Sequence, residues 1–316
     1  MAVVSASAYA PAVVGNIASG FDLVGHCIDG IGDVVTATRM PSTGQKPQAR
    51  IDSITGRVTD LPTEPQHNTA SRAACALLQA QGASFDVQLK LTKGIPLGSG
   101  LGGSAASATA AVVATNALLD APLALADLYP FALTGEAIAT GEPVGDNVGP
   151  QLIGGLVLAT EARLIALPVP AGLTAVVVHP NFAIETTQAR ACLQAPFELE
   201  AITRQQASLA QLLVGLYTQD NAALAQGLVD HLIEPRRCGL IPGFEAFQAL
   251  AKDHGALGAS ISGAGPSVFA WFSSKAQALT AQAHLSQPFE AAGLVTETHL
   301  SAVAAGGAHL LADNPD

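Results

Sequence analysis

Residues 94–107 read GIPLGSGLGGSAAS, a glycine-rich loop that runs into an alanine-rich stretch, Ala105 to Leu119. Gly98, Gly100, Gly102 and Gly103 crowd into six positions. Glycine has no Cβ, so it adopts positive φ and lets the backbone approach a ligand closely. Alanine is the strongest helix former. A loop of this kind opening a helix turns several unpaired N–H groups and the positive end of the helix dipole toward one point. Phosphate is the natural occupant of such a point.

The neighbouring residues sort the rival readings. No Gly-Lys-Ser/Thr closes the loop, so it is not a Walker A sequence. Gly98, Gly100 and Gly103 satisfy G-x-G-x-x-G, with Asp120 near the distance of a ribose-binding acid. That fingerprint follows a buried, nearly all-apolar strand. Here the preceding segment, FDVQLKLTK (85–93), alternates apolar and polar residues as a half-exposed strand does. A plain packing turn would need one or two glycines, not four.

Length admits two domains or one large one, since 316 residues bury an ample core. Hydrophobic residues make up 49% and charged ones 12%, which excludes a disordered chain. A formal charge of −11 argues against nucleic acid or an anionic membrane as a partner. Phosphate chemistry in so acidic a protein calls for a metal and a local cationic or N–H-rich pocket. Cys27, Cys75, Cys192 and Cys238 stand far apart, with neither a zinc pattern nor a disulfide framework. The opening MAVVSASAYAPAVV has no basic segment ahead of an apolar one. A soluble protein of the cytoplasm is expected.

Along the chain, residues 3–8 and 20–38 read as short strands, and 40–50 and 59–68 as Pro-rich loops. Asn68 or Thr69 caps a helix through Ala80. Further helices are expected over 103–119 and near 123–139, with strands over 155–167. Pro168-Val-Pro170 is the expected boundary between domains of 1–167 and 168–304. The second half reads as a strand (173–178), helices near 186–193 and 198–230, a helix (244–253), strands (257–262 and 267–273), a helix (275–287) and a strand (294–300). Residues 305–316 read as a loose tail. Mixed strands and helices at this spacing suggest an α/β sandwich.

PLGSGLGGSAAS resembles the phosphate loop of the GHMP kinases. APAVVGNIASGFDLVG near the N-terminus resembles that family's first motif, and GASISGAGPSVFA (258–270) its Gly-rich C-terminal motif. The order and spacing match over essentially the whole chain. DNVGPQLIGG (146–155), TTQARACL (186–193) and EPRRCGLIPGF (234–244) resemble blocks of the family members that phosphorylate L-homoserine. The resemblance implies an α+β fold of two domains, an N-terminal α/β domain like those of certain ribosomal proteins and a C-terminal ferredoxin-like domain. It implies transfer of the ATP γ-phosphoryl group to the hydroxyl of L-homoserine, giving O-phospho-L-homoserine on the route to threonine.

Site residues follow by the same likeness. ATP is assigned to Lys93, Pro96, Leu97, Gly98, Ser99, Gly100, Leu101, Gly102, Gly103, Ser104, Ala105, Ala106 and, more weakly, Asn68. Mg²⁺ is assigned to Ser104 and Glu136, and the catalytic set is Asn16, Asn147 and Glu136. The amino acid is assigned to Asn16, Asp22, Asn147, Thr186, Arg190 and Arg237. The chemistry is apt: Arg binds a carboxylate bidentately, Asp22 suits an ammonium, and Asn suits a hydroxyl. Taken singly, each has a plain reading: Arg237 pairing with Glu234 at the surface, Lys93 as an exposed strand end, the asparagines as turn formers. No Asp–Lys pair reads as a general base. The chain departs from the family at Gly103, where a second Ser is usual, at Val144, where a His is usual, and at Val13-Val14-Gly15, where Ser or Thr precedes the Asn. Two other readings therefore stand beside the main one: a kinase for another small alcohol such as threonine, and a non-catalytic nucleotide or amino-acid sensor. A homodimer is left open.

Overall fold

The computed structural model describes residues 3–312, except for the side chains of Thr140, Thr186 and Thr187. The N-terminal sheet is built on two long strands, β1 (Ser5–Gly15) and β2 (Val24–Pro41), antiparallel with a register shift between Pro11 and Val13. β3 (Ala49–Gly56) and β4 (Phe85–Lys93) extend it on one side, and β5 (Leu156–Ala159) and β6 (Leu164–Ala166) continue from the other end of β2. Alternation in β4 works as the pattern requires, with Val87, Leu89 and Leu91 buried and Lys90 and Thr92 exposed. Lys93 falls in the same buried phase as these three, a charged residue on the inward face.

Among the described residues, four α-helices belong to this half: α1 (Thr69–Ala80), α2 (Gly103–Asn116), α3 (Tyr129–Thr140) and α4 (Val148–Ile153). α2 lies between the sheet and α1 and α3, so every residue from Ala105 to Asn116 is buried. Its alanines let neighbours approach closely, which is how a helix with no polar face is accommodated. Two of its buried polar groups are bonded across the half, Thr109 donating to Gln151 at 3.3 Å and the Asn116 amide to the Leu123 carbonyl at 2.9 Å, while the buried Thr115 hydroxyl has no partner among the described residues.

Sheet membership changes between Ala166 and Thr174, around Pro168-Val-Pro170. The second sheet is antiparallel in the order β10-β7-β9-β8, formed by β7 (Thr174–Pro180), β8 (Gly258–Ile261), β9 (Val268–Phe272) and β10 (Thr296–Ala302). Its helices are α5 (Thr186–Ala191), α6 (Leu199–Thr218), α7 (Asn221–Gly227), α8 (Glu234–Arg237), α9 (Phe244–Asp253), α10 (Lys275–Gln282) and α11 (Gln287–Ala291). One apolar core runs from Ala8 and Val35 through to Phe269 and Trp271, so the two halves are packed together. A second core gathers Phe244, Phe247, Phe272 and Phe289 behind the second sheet. No helix among the described residues is long and apolar enough to cross a membrane.

The structure differs from the sequence reading in several places. The first two strands are longer than the short segments expected. β3 had no regular reading; it pairs parallel with β4 with a shift at Ile51–Ser53. The expected helix over 198–230 is two helices, because Gln219 turns left-handed (φ 58°) and Asp220 caps α7 through the N–H groups of Ala222 and Ala223. The segment read as a loose tail docks: β11 (His309–Leu310) pairs with β1, and Ala305 and Ala308 are buried. Residues 313–316 of that segment lie outside the described residues.

Candidate active site

Every carbonyl from Gly98 to Gly103 is taken up by the surrounding protein. Those of Gly98, Ser99 and Gly100 accept from Ile184 N (3.2 Å), Ser267 N (3.1 Å) and Ser262 Oγ (2.7 Å), all in the C-terminal half. Those of Leu101, Gly102 and Gly103 accept from Val13 N (3.1 Å), Gln151 Nε2 (3.0 Å) and Lys93 Nζ (2.7 Å), all in the N-terminal half. No backbone N–H from Gly98 to Ala105 has a protein acceptor among the described residues. Gly98, Gly100 and Gly102 alternate at φ 62°, 76° and 68°, the geometry in which successive N–H groups form an anion-binding concavity. A side chain is excluded as well: a Cβ on Gly100 would lie 2.4 Å from the Ser262 carbonyl oxygen, and one on Gly102 2.9 Å from Asn147 Oδ1.

The loop forms one wall of a cleft of about 680 Å³ between the two halves. Asn16, Asp22, Asn68, Lys93, Pro96, Leu97, Gly98, Ser99, Gly100, Gly102, Gly103, Ser104, Glu136, Asn147, Arg190 and Arg237 all line it. Leu101, Ala105 and Ala106 do not; their side chains are fully buried in the core. Thr186 begins α5, and its side chain lies outside the described residues. Val144, standing where the family likeness expects a His, is on the cleft wall, as is His67.

Asn16 reaches the cleft through an unusual turn. Asn16, Ile17 and Ala18 have φ of 72°, 42° and 54°, a left-handed run of non-glycine residues that costs about 1–3 kcal/mol per residue. It is held by Asn16 Nδ2 donating to Gly263 O (2.8 Å), Asp22 N to Asn16 Oδ1 (3.0 Å) and Asn16 N to Asp146 Oδ2 (3.2 Å). Asn147 Nδ2 donates to the other oxygen of Asp146 at 3.1 Å. Asp146 was not among the sequence-expected residues, although the D-N pair heading 146–155 was the signal for it. Burial, with help from Asp22, pushes its carboxyl up to about 7 against the N–H donors of Asn16 and Asn147 and the charge of Arg190.

The two arginines approach from α5 and α8. Arg190, half-buried, lies 3.7 Å from Asp22 and 3.7 Å from Glu142. Arg237 is buried and makes no pair with Glu234; it donates to Ala189 O and Gly263 O, both at 3.1 Å. Burial lowers its pKa, and Asp22 counters that effect. Glu234 instead accepts from Ser260 and from Gln248 (2.9 Å), which anchors α8. Arg236 braces the segment between α5 and α6 by donating to the carbonyls of Ala195 (2.5 Å) and Pro196 (2.7 Å), with its guanidinium 3.6 Å over the Phe197 ring.

Beside the loop, Glu136 of α3 is buried and accepts from Ser104 Oγ at 3.0 Å. Burial, then Asp146, pushes its carboxyl up to about 8, opposed by Ser104 and Lys93. Asn68 is the cap of α1, its Oδ1 accepting from Ala70 N (3.0 Å) and Ser71 N (3.3 Å). Lys93 is no exposed strand end; it pairs with Asp33 and donates to Gly103 O and Ser107 Oγ, each at 2.7 Å.

Comparison with known proteins shows the family. The model of the GHMP kinases N terminal domain matches residues 68–155, and that of the GHMP kinases C terminal domain matches residues 212–291. A homoserine kinase of Xylella fastidiosa is 46% identical over 306 residues, 97% of this chain and 94% of its own. One from Xanthomonas campestris pv. campestris is 45% identical over 307 residues, again 97% and 94%. The crystal structure of homoserine kinase from Cytophaga hutchinsonii superposes with a TM-score of 0.91 at 38% identity, covering 98% of each chain. The chain belongs to the GHMP kinase family and, within it, to the homoserine kinases. It is a kinase with the two-domain fold of that family.

Proposed function

We propose that the cleft binds ATP and L-homoserine side by side and transfers the γ-phosphoryl group to the hydroxyl, giving O-phospho-L-homoserine on the route to threonine. One observation carries the reading: the loop directs six consecutive carbonyls into the protein, leaving its N–H groups to an anion beside a pocket holding Asp22, Arg190 and Arg237. The N–H groups of Gly98–Ser104 hold the nucleotide phosphates. Arg190 and Arg237 take the carboxylate of the amino acid, and Asp22 takes its ammonium. Asn16 and Asn147 orient the hydroxyl for in-line attack. Its oxygen forms the new bond to the γ-phosphorus as the bond to the β-bridging oxygen breaks; ADP departs with that oxygen, and the hydroxyl proton passes by way of the phosphoryl oxygens to water. Both oxygens of Asp146 already accept hydrogen bonds, so its part is to hold these two asparagines.

Glu136 and Ser104 suit Mg²⁺. A buried carboxylate and a hydroxyl meeting on the cleft wall are the hard oxygen donors this ion takes, in the small number it needs beside phosphate and water. When bound, the ion would neutralise charge on the phosphate oxygens. Localisation in the cytoplasm fits a small, phosphorylated metabolite.

A coupled ADP-release assay with Mg-ATP and matched L-homoserine, L-threonine, L-serine and mevalonate tests this. Selective turnover of homoserine is expected. Turnover of another alcohol, or ATP binding with no turnover, would overturn the substrate assignment. Val144 on the cleft wall is the residue that would then explain it.

A further inference from the structure

We propose that Asp33 is a positioning residue that sets the shape of the phosphate loop, and that Lys93 serves it as a tie rather than as a phosphate ligand. The inference rests on the loop being the phosphate cradle. Asp33 lies in β2 and is 1% exposed. The register of β2 with β4, Val34 opposite Thr92, brings it beside Lys93 at the end of β4. Its Oδ1 accepts from Gly94 N (3.0 Å) and Ile95 N (3.2 Å), the residues that begin the loop. Its Oδ2 accepts from Lys93 Nζ and from Ser107 Oγ (2.8 Å), the latter at the start of the second turn of α2. One carboxylate thus fastens both ends of the loop to a central strand of the sheet.

Lys93 completes the tie. An ammonium has three protons, and the Lys93 side chain has three acceptors: Asp33, Gly103 O and Ser107 Oγ. Each acceptor belongs to the sheet or to the loop's own frame, although Lys93 itself lies on the cleft wall. The positive charge therefore neutralises Asp33 and fixes the orientation of the Gly103 peptide. Displacing such a frame by a fraction of an ångström moves every N–H of the cradle, and preorganisation of this kind is worth orders of magnitude in rate and binding.

The test is equilibrium binding of a fluorescent ATP analogue, with KM for ATP and for homoserine and a melting curve, on Asp33→Asn, Lys93→Met, the double variant and Ser107→Ala. Each single change is expected to weaken nucleotide binding, Asp33→Asn and Lys93→Met by tenfold or more and Ser107→Ala by three- to tenfold. KM for homoserine should stay within twofold. The losses of Asp33→Asn and Lys93→Met should not multiply in the double variant, because both break the same tie and the pair leaves no buried lone charge. Unchanged nucleotide binding in Asp33→Asn, or losses that multiply, would overturn the proposal. Should Asp33→Asn fail to fold, Ser107→Ala decides alone, since it removes one bond to each partner without uncovering a charge. Wild-type protein that binds no nucleotide would overturn the reading of the cradle itself, and the proposal with it.

Discussion

Ser104 Oγ donates to Glu136 at 3.0 Å, so the first turn of the loop helix and the buried carboxylate of α3 meet at one point of the cleft wall. Because both are hard oxygen donors aimed at the same place, they should fail in graded fashion. Glu136→Gln is expected to lower kcat by about 10²–10³, and Ser104→Ala by roughly fivefold, about 1 kcal/mol for one hydrogen bond. The Mg²⁺ concentration giving half-maximal rate should rise in Ser104→Ala. Titrating ADP release against Mg²⁺ checks this, and Glu136→Gln retaining kcat within threefold would remove Glu136 from the proposed metal site.

Arg190 is only half-buried and its two partners are carboxylates at 3.7 Å, so its removal leaves the fold intact. Arg190→Ala should raise KM for homoserine by about 10–100-fold, the 1.5–3 kcal/mol of a charged hydrogen bond. KM for ATP should hold. Arg237→Ala should do the same while also lowering the melting temperature, because it strands the carbonyls of Ala189 and Gly263. Equal changes in both Michaelis constants would count against the carboxylate assignment.

His26 joins the two sheets from a fully buried position. Its Nε2 accepts from the Trp271 indole N–H at 3.1 Å while its Nδ1 bonds to Cys27 O at 2.8 Å, so the ring is neutral. Burial lowers its pKa to about 4. Between pH 6.5 and 4 the unfolded chain binds the proton and the folded one does not. The stability from neutral His26 is therefore full above pH 6.5 and is lost as pH falls toward 4, by about 3 kcal/mol over the window. Urea unfolding at pH 7 and pH 4.5, compared with the same pair for His26→Gln, isolates this share. A variant with the same pH slope as wild type would refute it.

The C-terminal segment should matter to the loop. Gly155 N donates to Ala305 O (2.8 Å), Ala308 N to Gln151 O (2.6 Å) and Leu311 N to Ser7 O (2.8 Å), and Gln151 in turn holds the Gly102 carbonyl. Truncation after Ala304 is expected to cost about 3 kcal/mol, from lost hydrogen bonds and the burial of Ala305 and Ala308, and to raise KM for ATP. Thermal melting and steady-state kinetics of the shortened chain check both. A melting temperature equal to wild type would return residues 305–312 to the status of a tail.

Features written in contiguous residues were legible before any coordinates. The glycine spacing of 98–103 and the alanine run behind it announce a cradle and a buried helix, and capping by Asn68 and the span of α9 follow from local periodicity. Resemblance then assigned Asp22, Glu136, Arg190 and Arg237, and all four line the cleft.

Other features depend on partners far away in the chain. Asp33 and Lys93 stand 60 residues apart and meet only because β2 pairs with β4. β11 is held by backbone bonds to β1, which leave no side-chain signature, and the left-handed run at Asn16–Ala18 persists only because Gly263 and Asp146 grip it. Local chemistry is encoded within a few residues and can be read along the chain. Which carbonyl turns inward, which lysine is buried and which aspartate is paired are settled by packing, because a polar group's fate depends on the partner the fold brings to it.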